Sequence, residues 1–167
     1  MKERASGPFD PLAIIRALDH HGVDYVIIGG TGAVLHGAPM VTNDLDVVPE
    51  RGEDNLRRLI AALRELDARR VTEPDLLPSE PDVEDLRYRI ELFDSPHGAI
   101  DVVMEATGIG GYERLHPAAV VMELEGRTIR VGALGDLIRA KQWSDRPKDR
   151  LHLRLLHLLA AEQHQNS

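Results

Sequence analysis

The chain predicts an α+β or mixed α/β domain built around one sheet. Helix-period and strand-period segments alternate in its first half, then hairpin-like strand pairs, then helices. Two strand pairs are joined by short polar turns, Ser95-Pro96-His97-Gly98 and Glu125-Gly126, as antiparallel neighbours are. A chain of 167 residues can also bury one hydrophobic core without staples. One domain is therefore expected, with a core over about residues 10–131 and C-terminal helices over about 133–163.

Asp10-Pro11 reads as an N-cap acid followed by a first-turn proline, and Leu12, Ile15 and Leu18 recur at helical spacing until Gly22. Tyr25 to Ile28 is a short strand that stops at Gly29-Gly30, and Thr31 to His36 a short helix. Asp44 to Val48 is the second strand. Glu53 to Ala68 is the clearest helix, with Leu56, Leu59, Ile60, Leu63 and Leu66 on one face. Val71 to Asp85 carries prolines and acids and reads as an exposed loop. Arg87 to Phe93 and Ala99 to Met104 read as one hairpin, and Val120 to Leu124 with Thr128 to Val131 as another. The glycines at 108, 110 and 111 mark a loop between them. Leu134 to Gln142 and Pro147 to Gln163 are the closing helices, joined by Gln142 to Asp145.

Composition narrows the function. The chain has no cysteine, which excludes disulfides, thiolate zinc sites and a cysteine nucleophile and fits a reducing cytoplasm. No apolar run follows Met1-Lys2-Glu3-Arg4 and none reaches the length of a membrane span, so neither a signal peptide nor a membrane partner is expected. The net charge of −8 argues against a general nucleic-acid coat. Arg127 to Arg154 nonetheless holds eight basic against three acidic residues, which leaves two readings open: a local phosphate-binding surface or a solvated helix face.

Three constellations carry chemistry. In Gly29-Gly30-Thr31-Gly32 a strand ends in glycines and a helix begins, so backbone N–H groups and the Thr31 hydroxyl can meet an anion. In Asp44-Leu45-Asp46 the two-residue period of a strand puts both carboxylates on one side and Leu45 and Val47 toward the core. Two such acids repel unless a cation lies between them, and oxygen ligands of this kind suit Mg²⁺. Asp101 is a lone acid in the apolar run Gly98 to Val103, which leaves two readings open: a strand-end acid paired with an arginine, or the candidate third ligand beside the acid pair.

Taken together these stretches resemble the DNA polymerase β-like nucleotidyltransferase superfamily. Its pattern is a strand ending in Gly-Gly or Gly-Ser, a short helix, an acid-x-acid strand and a third acid on a later strand. The run from His36 to Asp46 and the tail from Val131 to Leu155, with Lys141 and Arg146-Pro147-Lys148-Asp149, look like small bacterial members, the type IV abortive-infection toxin nucleotidyltransferases and the lincosamide resistance enzymes. The resemblance implies an α+β nucleotidyltransferase fold with a mixed sheet flanked by helices and a C-terminal helical segment. It implies a transferase that moves a nucleotidyl group from a nucleoside triphosphate to a hydroxyl of a transfer RNA, a protein or a small molecule. For toxin-like members it implies a place in a toxin–antitoxin pair with a cognate antitoxin. Asp44, Asp46 and Asp101 would be the catalytic metal ligands, with Mg²⁺ as cofactor. Gly29, Gly30, Thr31 and Lys141 would bind the nucleotide. Met40 stands where such proteins often carry an arginine, which also admits a silent, nucleotidyltransferase-like binding or regulatory protein.

Rival signals are thinner. Gly30-Thr31-Gly32-Ala33-Val34-Leu35 begins like a dinucleotide fingerprint but has leucine where a third glycine or alanine belongs. Ser95 and Ser144 lack the partners of a nucleophile. His20-His21 and His152/His157 match no standard zinc spacing and read as surface or core residues. For Lys141 the competing assignment is an i,i+4 pair with Asp145.

Overall fold

A computed structural model describes residues 8–167 except 80, 81, 89 and 145. The polar N-terminal residues 1–7 and the expected Lys141–Asp145 pair thus lie outside the described residues.

Helix α1 (Pro11–His20) starts where Asp10 Oδ1 accepts the Ala13 N–H at 3.1 Å, with proline in the first turn. Strand β1 (Tyr25–Ile28) runs straight into α2 (Gly29–Leu35), so both glycines belong to the helix. After an irregular loop come β2 (Asp44–Pro49), α3 (Glu53–Glu65) and the short β3 (Arg69–Arg70). Helix α4 (Asp82–Tyr88) precedes β4 (Ile90–Ser95), which turns into β5 (Gly98–Val103). A small hairpin, β6 (Glu105–Ala106) and β7 (Gly110–Gly111), leads into α5 (Tyr112–Ala118). The chain ends with β8 (Val120–Leu124), β9 (Arg127–Val131), α6 (Leu134–Ser144) and α7 (Pro147–Gln165).

Two segments differ from the sequence expectation. The end of the expected loop over 71–85 and the start of the strand expected from Arg87 are helical instead: Val83 and Leu86 bury one face of α4 in the main core. Arg70 holds the start of that helix, its Nη1 lying 2.6 Å from Asp82 Oδ1. The glycine segment after β5 is a two-stranded hairpin followed by a helix that buries Leu115.

The main sheet has the order β3-β4-β5-β2-β1-β9-β8. It is mixed: β2 is parallel to β5 and β1 to β9, while β1–β2, β4–β5, β8–β9 and β3–β4 are antiparallel. Its two faces carry different cores. Leu45, Val47, Ile100 and Val102 join Ile14 and Leu18 of α1, Leu59 and Leu63 of α3, and Leu86 of α4. The opposite face packs Val26, Ile28 and Val48 against Leu115 of α5 and Leu137 of α6. Since side chains alternate along a strand, Asp44 and Asp46 share the second face with Val48. The strand carrying the acid pair is thus central, with sheet neighbours on both sides. Among the described residues no helix is long and apolar enough to cross a membrane.

Candidate active site

The parallel register of β2 and β5 sets Asp46 beside Asp101 and Leu45 beside Ile100. Leu45 and Ile100 sink into the main core, so the two acids emerge together on the other face. Asp44, two residues earlier on β2, completes the group. One carboxylate oxygen from each of Asp44, Asp46 and Asp101 lies within 4.8 Å of the others.

This group is electrostatically strained. Burial pushes the Asp46 carboxyl well above its ordinary range, and the charges of Asp44 and Asp101 add to it, while Lys141 acts in the opposite direction. Asp46 Oδ1 is sealed from solvent and has no hydrogen-bond partner. A divalent cation fits such a donor set: hard oxygen ligands, net negative charge and a buried acceptor left over. The three aspartates are the residues that would hold it.

The glycine turn frames the group closely. Gly29 adopts φ +68°, and a Cβ there would stand 2.2 Å from Asp46 Oδ2. A side chain at 29 would be strained by its backbone and would collide with the carboxylate. Gly30 faces Thr42 instead, with 2.8 Å from a built Cβ to Oγ1. The Thr31 hydroxyl is buried and donates to the Asp44 main-chain oxygen at 2.7 Å, which anchors the start of β2. Thr42 Oγ1 donates to that same oxygen at 3.3 Å. Its part as a support was missed from sequence, since a threonine in a loop carries no signal of its own.

Lys141 projects from α6 on the same side of the sheet, and its charge reaches Asp46. Its Nζ donates to Asp149 Oδ1 at 2.9 Å. Asp149, only 1% exposed, also accepts from Ser144 Oγ and from Arg146 Nε, the latter at 2.8 Å. Burial alone would raise the Asp149 carboxyl, but these donors outweigh it and hold the group well below the ordinary range. Much of the basic C-terminal segment is similarly paired: Arg127 with Asp19, and Arg139 with Asp136. Met40 packs with Ala33, Ala38 and Leu156 under α7, so this position serves an apolar contact.

No family model and no curated protein matches the chain. Solved structures do. The solution structure of the antibiotic-resistance factor ANT(2'')-Ia is 17% identical over 93% of this chain and 90% of that one, with a TM-score of 0.56. The crystal structure of ANT(2'')-Ia in complex with adenylyl-2''-tobramycin is 17% identical over 94% and 97%, with a TM-score of 0.57. A Thermotoga maritima protein described as a nucleotidyltransferase is 15% identical over 89% and 94%, with a TM-score of 0.54. At these identities the likeness is one of fold, and the chain has the α+β nucleotidyltransferase fold.

Proposed function

We propose that the chain is a Mg²⁺-dependent nucleotidyltransferase that passes a nucleotidyl group from a nucleoside triphosphate to a hydroxyl acceptor: the acceptor oxygen bonds to the α-phosphorus, the bond from that phosphorus to the β-phosphate oxygen breaks, and pyrophosphate leaves. The observation that carries this reading is the meeting of Asp44, Asp46 and Asp101 around a buried, unpartnered oxygen on a nucleotidyltransferase fold. When bound, divalent metal would offset the charge of the triphosphate and of the aspartates. Asp44 and Asp46 hold the metal and orient the triphosphate. Asp101 completes the ligand set and accepts the acceptor's proton. Gly29 and Gly30 let the backbone come close to phosphate, and Thr31 fixes the start of β2 that carries Asp44. Lys141 supplies the positive charge on the α6 side. The rate then rests on in-line positioning and charge stabilisation.

Two acceptor classes follow from different features. The likeness to a protein solved with adenylyl-2''-tobramycin supports a small hydroxylated acceptor. The Lys141 to Asp149 tail, with its resemblance to toxin nucleotidyltransferases, supports transfer RNA or a partner protein. The test is incubation with each α-labelled triphosphate and Mg²⁺, against total cellular RNA, a protein extract and an aminoglycoside panel. Label transferred to one arm, and lost with chelator, is the expected result. No transfer in any arm would favour the second reading, a silent binding or regulatory protein. That reading draws on Met40 in its apolar seat and on Lys141 held by Asp149. Metal-dependent triphosphate binding separates the two.

A further inference from the structure

At a corner, at the other end of β1 from Asp46, a pair of adjacent histidines meets a glutamate 45 residues further along the chain. His20 is the last residue of α1, His21 caps it, and Glu65 is the last residue of α3. The two helices pack side by side, which brings their C-terminal ends together. His20 Nδ1 lies 3.2 Å from Glu65 Oε1, and His21 Nε2 lies 3.4 Å from Glu65 Oε2. One donor atom from each residue falls within 4.8 Å of the other two.

We propose that His20, His21 and Glu65 form a zinc site, separate from the acid triad. Four features support it. The donor set is two imidazoles and a carboxylate, which favours a borderline metal such as Zn²⁺ over Mg²⁺. Tetrahedral zinc with bonds of about 2.0–2.1 Å places its ligand atoms roughly 3.3 Å apart, close to the two histidine–Glu65 spacings, with the whole set within 4.8 Å. Nε2 of His21 is sealed from solvent and faces Glu65 Oε2 at 3.4 Å without making a hydrogen bond, so its bonding capacity is not satisfied within the protein. Both helices turn the negative ends of their dipoles toward the site, and Glu65 stands against that dipole; a cation relieves both.

The surroundings leave room for a fourth ligand. His20 and Glu65 border a cleft of about 410 Å³, so water can complete the shell. The arginines on the cleft, Arg16 and Arg127, are paired with Glu125 and Asp19 and need not repel the ion. The site is also distinct in place. β1 begins at Tyr25 beside this corner and reaches Asp46 only through Ile28, a distance of roughly 10 Å along the strand. A plain ion-pair cluster is the competing account, and exposed pairs of that kind contribute little.

The experiment is calorimetric titration of the full chain with Zn²⁺ in excess Mg²⁺, repeated with Co²⁺ while recording visible absorption. Wild type should bind one Zn²⁺ that survives Asp46→Asn and give the intense Co²⁺ bands of a tetrahedral site. His21→Asn and Glu65→Gln should each weaken this binding by more than the roughly tenfold that loss of a supporting partner costs. His20 carries a side chain 72% exposed, so His20→Asn keeps the test valid if a more buried variant misfolds. Unchanged Zn²⁺ affinity in the histidine and Glu65 variants, or loss of the zinc in Asp46→Asn, would overturn the assignment. So would Co²⁺ binding without tetrahedral bands.

Discussion

Asp46 and Asp149 are both largely hidden acids on the same side of the sheet, yet their surroundings push them in opposite directions. Asp46 is raised by burial and by two like charges, and one of its oxygens has no partner. Asp149 is lowered by a lysine, a serine and an arginine that together satisfy it. A buried acid with its donors supplied is a structural device; one crowded by other acids leaves the charge balance to something that binds. Lys141 belongs to both settings, bonded to Asp149 and acting electrostatically on Asp46.

The contrast can be broken from either side. Asp46→Asn should cut nucleotidyl transfer by about a thousandfold, near 4 kcal/mol, because an amide cannot replace the lost charge at the metal. The metal-free melting temperature should not fall, since one member of a repelling group has been neutralised. A loss of activity that came with a loss of fold would make Asp46 a structural acid like its counterpart. Asp149→Ala should do the reverse and cost roughly 3 kcal/mol of stability in urea unfolding, because it strands the largely buried Lys141. An unchanged midpoint would show that the α6–α7 junction does not depend on that acid.

Smaller effects sharpen the picture. Gly29→Ala inserts a Cβ where Asp46 Oδ2 already stands. Metal affinity read by titration should fall about tenfold or more, with a lesser loss of thermal stability. Equal affinity would mean the turn relaxes away from the carboxylate. The smallest effect is in acid. Asp149 has a folded pKa below its ordinary 3.8, so its contribution is present above that value and lost as pH falls below it. The stability slope there should reach at most about 1.4 kcal/mol per pH unit for this group, and Asp149→Asn should flatten it. Urea midpoints across that range measure the difference.

The fold and the acid pair were legible because both rest on short-range periodicity. Asp44-Leu45-Asp46 alternates across one strand, and the α3 leucines repeat at helical spacing over several turns. α4 offered only Val83 and Leu86 as an apolar pair, amid prolines and acids that read as loop. α5 hid behind Pro117 and buries a single leucine. The Asp149 group crosses the break between α6 and α7, and Glu65 lies 45 residues from His20. No local pattern announces partners brought together only by packing. That Asp46 and Asp101 sit level is likewise a matter of register between strands, which neither strand states alone.

That register has a further consequence. Sliding β5 along β2 by a single residue would turn Asp101 toward the apolar core and bring Ile100 out among the acids. Only slips by an even number of residues keep the apolar side chains on the core face, and of these only the observed register sets Asp101 level with Asp46. The three acids therefore come together only when β2 and β5 pair in this register.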